Sequence, residues 1–150
     1  MSTTEVVFVR HGESEWNKDN RFCGWVDIPL SHLGCEEAKA AGKMLEMAGY
    51  SQFDIVYTSF LSRASDTANL IIDQLVKDND PNTTRTKPNL VKDWRLNERH
   101  YGGLTGFNKA EVAALHGLNR VMEWRRGYDV PPPPLTKDNP FYDQIGNHSL

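Results

Sequence analysis

The stretch Val6-Val7-Phe8-Val9-Arg10-His11-Gly12 decides how this chain is interpreted. Its first four residues are apolar and mostly β-branched, which predicts a short buried strand over residues 5–9. The sequence then changes abruptly to a cation, an imidazole and a glycine, at the point where open α/β sheets bind ligands. His11 is thus a candidate nucleophile and Arg10 a candidate anion-binding residue. A solvated Arg-His pair at a strand end explains the tripeptide equally well.

Length and composition are those of a one-domain globular protein. The chain has 150 residues, of which 39% are hydrophobic and 25% charged, so it can build a hydrophobic core. The net charge of −3 argues against general nucleic-acid binding. Two cysteines cannot form a disulfide framework, which favours a reducing compartment. With no signal peptide or membrane span apparent, we expect a cytoplasmic location and neither nucleic-acid nor membrane partners.

Predicted strands and helices alternate along the chain, which indicates a parallel sheet covered by helices. After the first strand, the sequence predicts a helix capped by Ser31 and ended by Gly49, a strand over residues 53–57, and a helix marked by Ala64, Ala68, Ile71 and Leu75. A surface loop over 77–88 and a strand over 90–94 follow. The last predicted elements are a helix capped by Asn108 in a capping box with Glu111, a short helix over 120–126 and an extended proline segment over 131–134.

Longer motifs resemble a known family. Residues 9–17 (Val-Arg-His-Gly-Glu-Ser-Glu-Trp-Asn) and 21–25 (Arg-Phe-Cys-Gly-Trp) resemble the phosphohistidine signature of the histidine phosphatase superfamily. Residues 96–106 and 124–134 resemble the cofactor-dependent phosphoglycerate mutases specifically. The resemblance runs to near Tyr142 and implies a three-layer α/β/α fold with a mostly parallel sheet, incomplete at the C-terminus.

The implied reaction interconverts 3-phosphoglycerate and 2-phosphoglycerate through phosphohistidine at His11, primed by 2,3-bisphosphoglycerate as cofactor. Arg10 and Arg63 follow predicted strand ends and can clamp the oxygens of the moving phosphoryl group. The resemblance assigns proton transfer to Glu98. We expect no metal, because arginines and imidazoles supply the positive charge and the histidines show no metal-ligand spacing. Bisphosphoglycerate synthesis and slow phosphatase activity would be side reactions.

The resemblance places further residues around the carboxylate and phosphates of a phosphoglycerate. These are Asn17, Cys23, Gly24, Arg99, Tyr101, Lys109, Arg125 and Arg126. Taken alone, Arg125 and Arg126 are equally typical of an exposed helix end. His100 is expected to pack against its loop, and His32, His116 and His148 to lie on the surface.

Cys23 stands where the family usually carries serine or threonine, so a hydroxyl donor becomes a weak thiol donor. Two interpretations are open. If Arg10, Arg21 and Arg63 point inward, they lower the pKa of the thiol and make it reactive. Alternatively, Cys23 is a small buried hydrophobic residue.

The end of the chain departs from the family, which has a second half with a second histidine beside the phosphohistidine. We therefore expect residues 1–150 to be the N-terminal part of a single domain, with residues 127–150 forming an extended proline-rich segment and a divergent tail. Without the neighbouring strand, residues 6–9 would border a gap. We expect such a truncated form to have low stability and little mutase activity. The oligomeric state of a full-length form is left open, with a homodimer as one alternative. The alternatives are a broad-specificity histidine phosphatase and a catalytically impaired binding form.

Overall fold

A computed structural model describes residues 3–77 and 85–145 of the chain. Its helices are α1 (Glu15–Lys18), α2 (His32–Met47), α3 (Ser62–Val76), α4 (Lys109–His116), α5 (Leu118–Arg126) and α6 (Tyr142–Ile145), its strands are β1 (Ile55–Thr58) and β2 (Asn89–Lys92), and two 3-10 turns span Trp94–Leu96 and Gly102–Leu104.

A β1–α3–β2 unit forms the only sheet of the described residues. The two strands are parallel, with Ile55 opposite Asn89 and Thr58 opposite Lys92. Helix α3 makes the crossover and packs against both β1 and α2. The predicted α/β class is therefore confirmed, and the chain leaves β1 directly before the start of α3, where Arg63 lies.

The predicted strand over residues 5–9 is not observed. This segment pairs with no strand among the described residues, and Phe8 is 92% exposed while Val6 is 66% exposed. A strand needs a hydrogen-bonded neighbour, and the two-stranded sheet supplies none here. The apolar composition was correctly identified, but composition alone does not provide the missing partner.

Helix α2 begins and ends where the sequence predicts. The Ser31 hydroxyl accepts a hydrogen bond from the Gly34 amide at 3.1 Å, and Gly49 follows the helix with φ of +92°. The first turn of α2 packs closely against the loop that carries His11. A Cβ on Gly12 would lie 2.2 Å from the Gly34 carbonyl oxygen, so only glycine allows this approach.

A second packed region joins the loops to α4 and α5. Its buried core consists of Phe22, Leu104, Val112, Val121 and Trp124. Asn108 caps α4 as predicted, because its side-chain oxygen accepts from the Ala110 amide at 2.8 Å. The region carries three basic residues at helix ends, since α4 begins with Lys109 and α5 ends with Arg125 and Arg126.

The remaining elements differ in detail from their predictions. The third strand ends at Lys92, and Trp94 belongs to a 3-10 turn. Residues 78–84 of the predicted loop, and His148, lie outside the described residues. The prolines at 131–134 form neither helix nor strand, and α6 lies beyond them in the tail, where no helix or strand was predicted. Within the described residues, no helix is long and apolar enough to cross a membrane.

We predict that Gly34→Ala destabilises the protein. Helix propensity alone would favour alanine by about 1 kcal/mol. The new methyl group, however, would meet the Glu13 carbonyl oxygen at 2.0 Å. We expect the free energy of unfolding in urea to fall by about 1–3 kcal/mol, the usual cost of overpacking.

Gly49→Ala is the control for this substitution, since a Cβ there has no neighbour within 4 Å and meets only the strain of a positive φ. That strain costs about 1–2 kcal/mol. An unchanged or increased stability of Gly34→Ala would contradict the close approach of α2 to the His11 loop.

Candidate active site

Three hydrogen bonds in series fix the backbone around His11. The His11 Nδ1 lies 2.6 Å from the Gly12 carbonyl oxygen. Because a carbonyl only accepts, Nδ1 carries the proton and donates it, which leaves the lone pair on Nε2. The Gly12 amide donates to Thr67 Oγ1 at 3.1 Å, and that hydroxyl donates to the Arg63 carbonyl at 2.7 Å. In this arrangement the lone pair of the ring is on Nε2.

Burial lowers the pKa of His11 below its ordinary value. The bond to Gly12 acts in the opposite direction, since it favours the protonated ring. The positive charges of Arg63 and Arg10 lower the pKa further, and Glu98 raises it. The net effect favours a neutral imidazole, which is the form that attacks phosphorus.

Arg63 is fully buried and organises the surrounding loops. Its Nη1 donates to the Val26 carbonyl at 3.0 Å, and its Nη2 donates to the Gly24 carbonyl at 2.7 Å and to Glu98 Oε2 at 2.8 Å. Its Nε–H has no partner among the described residues. A buried donor without an acceptor is costly, and an anion oxygen in the site would satisfy it.

Two contacts hold Glu98 in place. Its side chain forms an ion pair with Arg63, in which Oε2 lies 2.8 Å from Nη2. Its backbone carbonyl accepts from the Trp25 indole Nε1 at 2.8 Å. The carboxylate remains 32% exposed, so it can exchange protons with solvent and with a bound ligand. Burial, followed by the Glu98 charge, raises the pKa of Tyr101, which keeps the phenol protonated.

Further cations surround this carboxylate. Lys109, at the start of α4, is half-buried, and burial lowers its pKa. Arg125 and Arg126, at the end of α5, lie close enough to act electrostatically on Tyr101, and Arg10 acts on both His11 and Lys109. The site therefore gathers several cations around one carboxylate, Glu98, which favours binding of an anion.

Two expected ligand residues are engaged elsewhere in this structure. Asn17 forms a capping box with Ser14, in which its Oδ1 accepts from the Ser14 amide at 3.1 Å. The Arg99 Nη1 donates to the carbonyls of Trp124 and Gly127, at 3.2 and 2.8 Å, and so binds the C-terminal end of α5. Their contact with a substrate stays a prediction.

Cys23 is buried, and burial raises the pKa of its thiol. Its sulfur lies 3.8 Å from the Ser14 hydroxyl and 3.8 Å from the Arg21 carbonyl. The Arg21 side chain turns away to the Gly106 carbonyl, at 2.6 Å, and lies over the Trp16 ring. The expectation of a reactive thiolate is therefore wrong, because desolvation outweighs the nearby cations.

Gly24 and His100 support the loops beside the site. Gly24 has φ of +56°, and its carbonyl is the acceptor that Arg63 uses. His100 packs as expected: its Nδ1 accepts from the Gly102 amide at 2.9 Å, and its ring lies edge-on to Trp25. Burial lowers its pKa.

Sequence reasoning missed two residues that support the site. Thr67 has no marker, because a threonine inside a helix is equally typical of a bond to its own backbone. Trp25 stands in the motif over residues 21–25 without an assigned role, and its bond to Glu98 joins positions 73 residues apart. Within residues 3–77 and 85–145, no group of three histidine, cysteine or acidic side chains is placed to hold a metal ion.

Comparisons with known proteins identify the family and the fold. The profile of the histidine phosphatase superfamily (branch 1) matches residues 6–144. A mycobacterial glucosyl-3-phosphoglycerate phosphatase, solved with VO3, is 29% identical with a TM-score of 0.65, and the match covers 81% of this chain and 51% of that one. A putative alpha-ribazole-5'-P phosphatase from Escherichia coli K-12 is 27% identical with a TM-score of 0.57, covering 77% and 51%.

A third structure supports the fold alone. It is a phosphoserine phosphatase from Entamoeba histolytica in complex with 3-phosphoglyceric acid, 23% identical, with a TM-score of 0.56 and coverage of 85% and 54%. The chain thus spans about half the length of the solved structures that it matches.

We predict that His11 titrates below about pH 6.5, the ordinary value for histidine, because burial disfavours the imidazolium. As the pH falls below that value, the unfolded chain binds a proton more readily than the folded one, so His11 makes folding less favourable in acid. NMR titration of ring-labelled histidine, with His11→Ala identifying the signal, measures this. A midpoint above the ordinary value would show that Glu98 and Gly12 outweigh burial.

We also predict that iodoacetamide alkylates Cys23 more slowly than Cys35 in the folded protein, because Cys23 is buried and Cys35 is half-exposed. Peptide mapping over time gives both rates, and the two should converge in urea. Equal rates in the folded state would show that Cys23 is accessible.

Proposed function

Because the chain belongs to the histidine phosphatase superfamily (branch 1), we propose that it hydrolyses phosphate monoesters through a phosphohistidine formed on Nε2 of His11. One observation carries the proposal. The ring of His11, with its proton on Nδ1 and its pKa lowered by burial, lies within electrostatic reach of a fully buried Arg63, whose Nε–H has no acceptor among the described residues. A nucleophile beside an unsatisfied cationic donor is suited to a phosphoryl group.

In the first step, Nε2 attacks phosphorus while the bond from phosphorus to the leaving oxygen breaks. Glu98, as the carboxylic acid, gives its proton to that oxygen. In the second step, water attacks the phosphohistidine, Glu98 takes a proton from the water, and inorganic phosphate leaves with Nε2 restored. Arg63 and Arg10 would neutralise the charge on the moving phosphoryl oxygens throughout.

The phosphatase reaction is preferred over a mutase because the two structures named above with more than 25% identity are described as phosphatases. The distribution of charge nevertheless supports a second candidate. Arg125 and Arg126 lie within electrostatic reach of Tyr101, and Lys109 within that of Arg10, so these three cations suit a second anionic group, such as the carboxylate of a phosphoglycerate. In that case 2,3-bisphosphoglycerate would supply the phosphoryl group, and a phosphoglycerate hydroxyl would replace water as acceptor.

Phosphohistidine formation tests the proposal independently of turnover. Incubation with p-nitrophenyl phosphate, or with labelled 2,3-bisphosphoglycerate, should give an acid-labile phosphate on His11, mapped by mass spectrometry. His11→Ala should abolish the label, and His116→Ala, which changes an exposed histidine on α4, should not. A label that persists in His11→Ala would overturn the assignment. With 3-phosphoglycerate as acceptor, release of inorganic phosphate indicates the phosphatase, and formation of 2-phosphoglycerate indicates the mutase.

Glu98→Gln should slow phosphoryl transfer from an alkyl phosphate by about 10²–10⁴-fold, the usual contribution of general acid catalysis. Transfer from p-nitrophenyl phosphate should slow less, since its leaving group departs without a proton. Glu123→Gln is the control, because Glu123 is exposed and paired with Arg120. Equal losses for both donors would show that Glu98 binds the phosphoryl group and does not move protons.

A further inference from the structure

Thr67 lies between the two groups that the proposed reaction requires. It is buried in α3, one helical turn after Arg63. Its hydroxyl donates to the Arg63 carbonyl at 2.7 Å and accepts from the Gly12 amide at 3.1 Å. The same oxygen therefore joins the helix that bears the buried arginine to the peptide unit between His11 and Gly12.

Gly12 is fixed from a second direction as well. Its Cα lies so close to the first turn of α2 that an added Cβ would meet the Gly34 carbonyl oxygen at 2.2 Å. With its amide bound to Thr67 and its Cα against α2, Gly12 has little freedom to rotate. Its own carbonyl is the group that receives the proton of His11 Nδ1.

We propose that Thr67 is a positioning residue for the nucleophile: by holding the Gly12 amide, it orients the Gly12 carbonyl that keeps the proton on Nδ1 and the lone pair on Nε2 of His11. The catalytic part of this inference rests on the proposed function, because the tautomer of His11 affects the reaction only if Nε2 is the nucleophile. The hydrogen-bond geometry is independent of that function.

Ser65 provides a comparison within the same helix. It is also buried, and its hydroxyl donates to the carbonyl of Ser62 at 3.2 Å, an ordinary bond of a helical serine to its own backbone. No amide from another segment donates to it among the described residues. Thr67 differs by accepting the Gly12 amide from 55 residues away. A threonine that served only its own helix would not need this second bond.

The test measures the His11 tautomer by ¹⁵N NMR of the ring nitrogens, together with the rate of His11 phosphorylation by p-nitrophenyl phosphate. The parent protein should show protonated Nδ1 and unprotonated Nε2, with slow hydrogen exchange at the Gly12 amide. Thr67→Val keeps the shape but removes the acceptor, so it should mix the two tautomers. We expect it to slow phosphorylation by up to about 10²-fold, the cost of a misplacement near 1 Å. Thr67→Ser should restore both properties, and Ser65→Ala should change neither.

Several results would overturn the proposal. One is a parent protein in which His11 carries its proton on Nε2 or the Gly12 amide exchanges freely, and this remains decisive even if Thr67→Val does not fold. Another is a Thr67→Val protein with the parent's tautomer, whatever its melting temperature. If the tautomer changes as expected but the parent is never phosphorylated, the positioning role is supported and the proposed function is wrong.

Discussion

The buried guanidinium of Arg63 is the interaction on which the rest of the site depends. A fully buried cation is costly unless most of its donors are matched, and Nη1 and Nη2 bind the carbonyls of Val26 and Gly24 and the carboxylate of Glu98. The loop after Cys23 and the loop that carries Glu98 are therefore placed by the same side chain that would bind the phosphoryl group. Positioning and electrostatics are coupled in one residue.

Local rules explain most of the elements that were predicted correctly. Ser31 and Asn108 cap their helices, because a short polar side chain satisfies amides that the first helical turn leaves free. Helical spacing predicted α3, and the apolar segments predicted both strands of the parallel pair to within a few residues. Arg63 forms an ion pair with Glu98, and both charges act on His11. These features depend on neighbours in sequence or on patterns long enough to be specific.

The failures share a different cause, since each depends on a partner distant in sequence. Residues 5–9 have the composition of a strand, but pairing requires another segment beside them. The pKa of Cys23 rises because the surrounding chain buries it, while Arg21 turns to Gly106. Arg99 binds the end of α5 in this structure, and no local pattern distinguishes that use from a ligand contact. The burial of a side chain and its hydrogen-bond acceptors from distant parts of the sequence are determined by the fold, so a short motif does not predict them.

The unpaired segment before Arg10 has a consequence for how the protein loses its proposed activity. His11 is held through the Gly12 amide, whereas Val6, Phe8 and Val9 before it are exposed and pair with no strand among the described residues. A segment with few protecting contacts opens at a lower free energy than the core. Local opening there would withdraw the nucleophile while α2, α3 and the Arg63 network stay folded. Inactivation and global melting would then be two separate transitions, and a thermal scan that follows helix content would not detect the first.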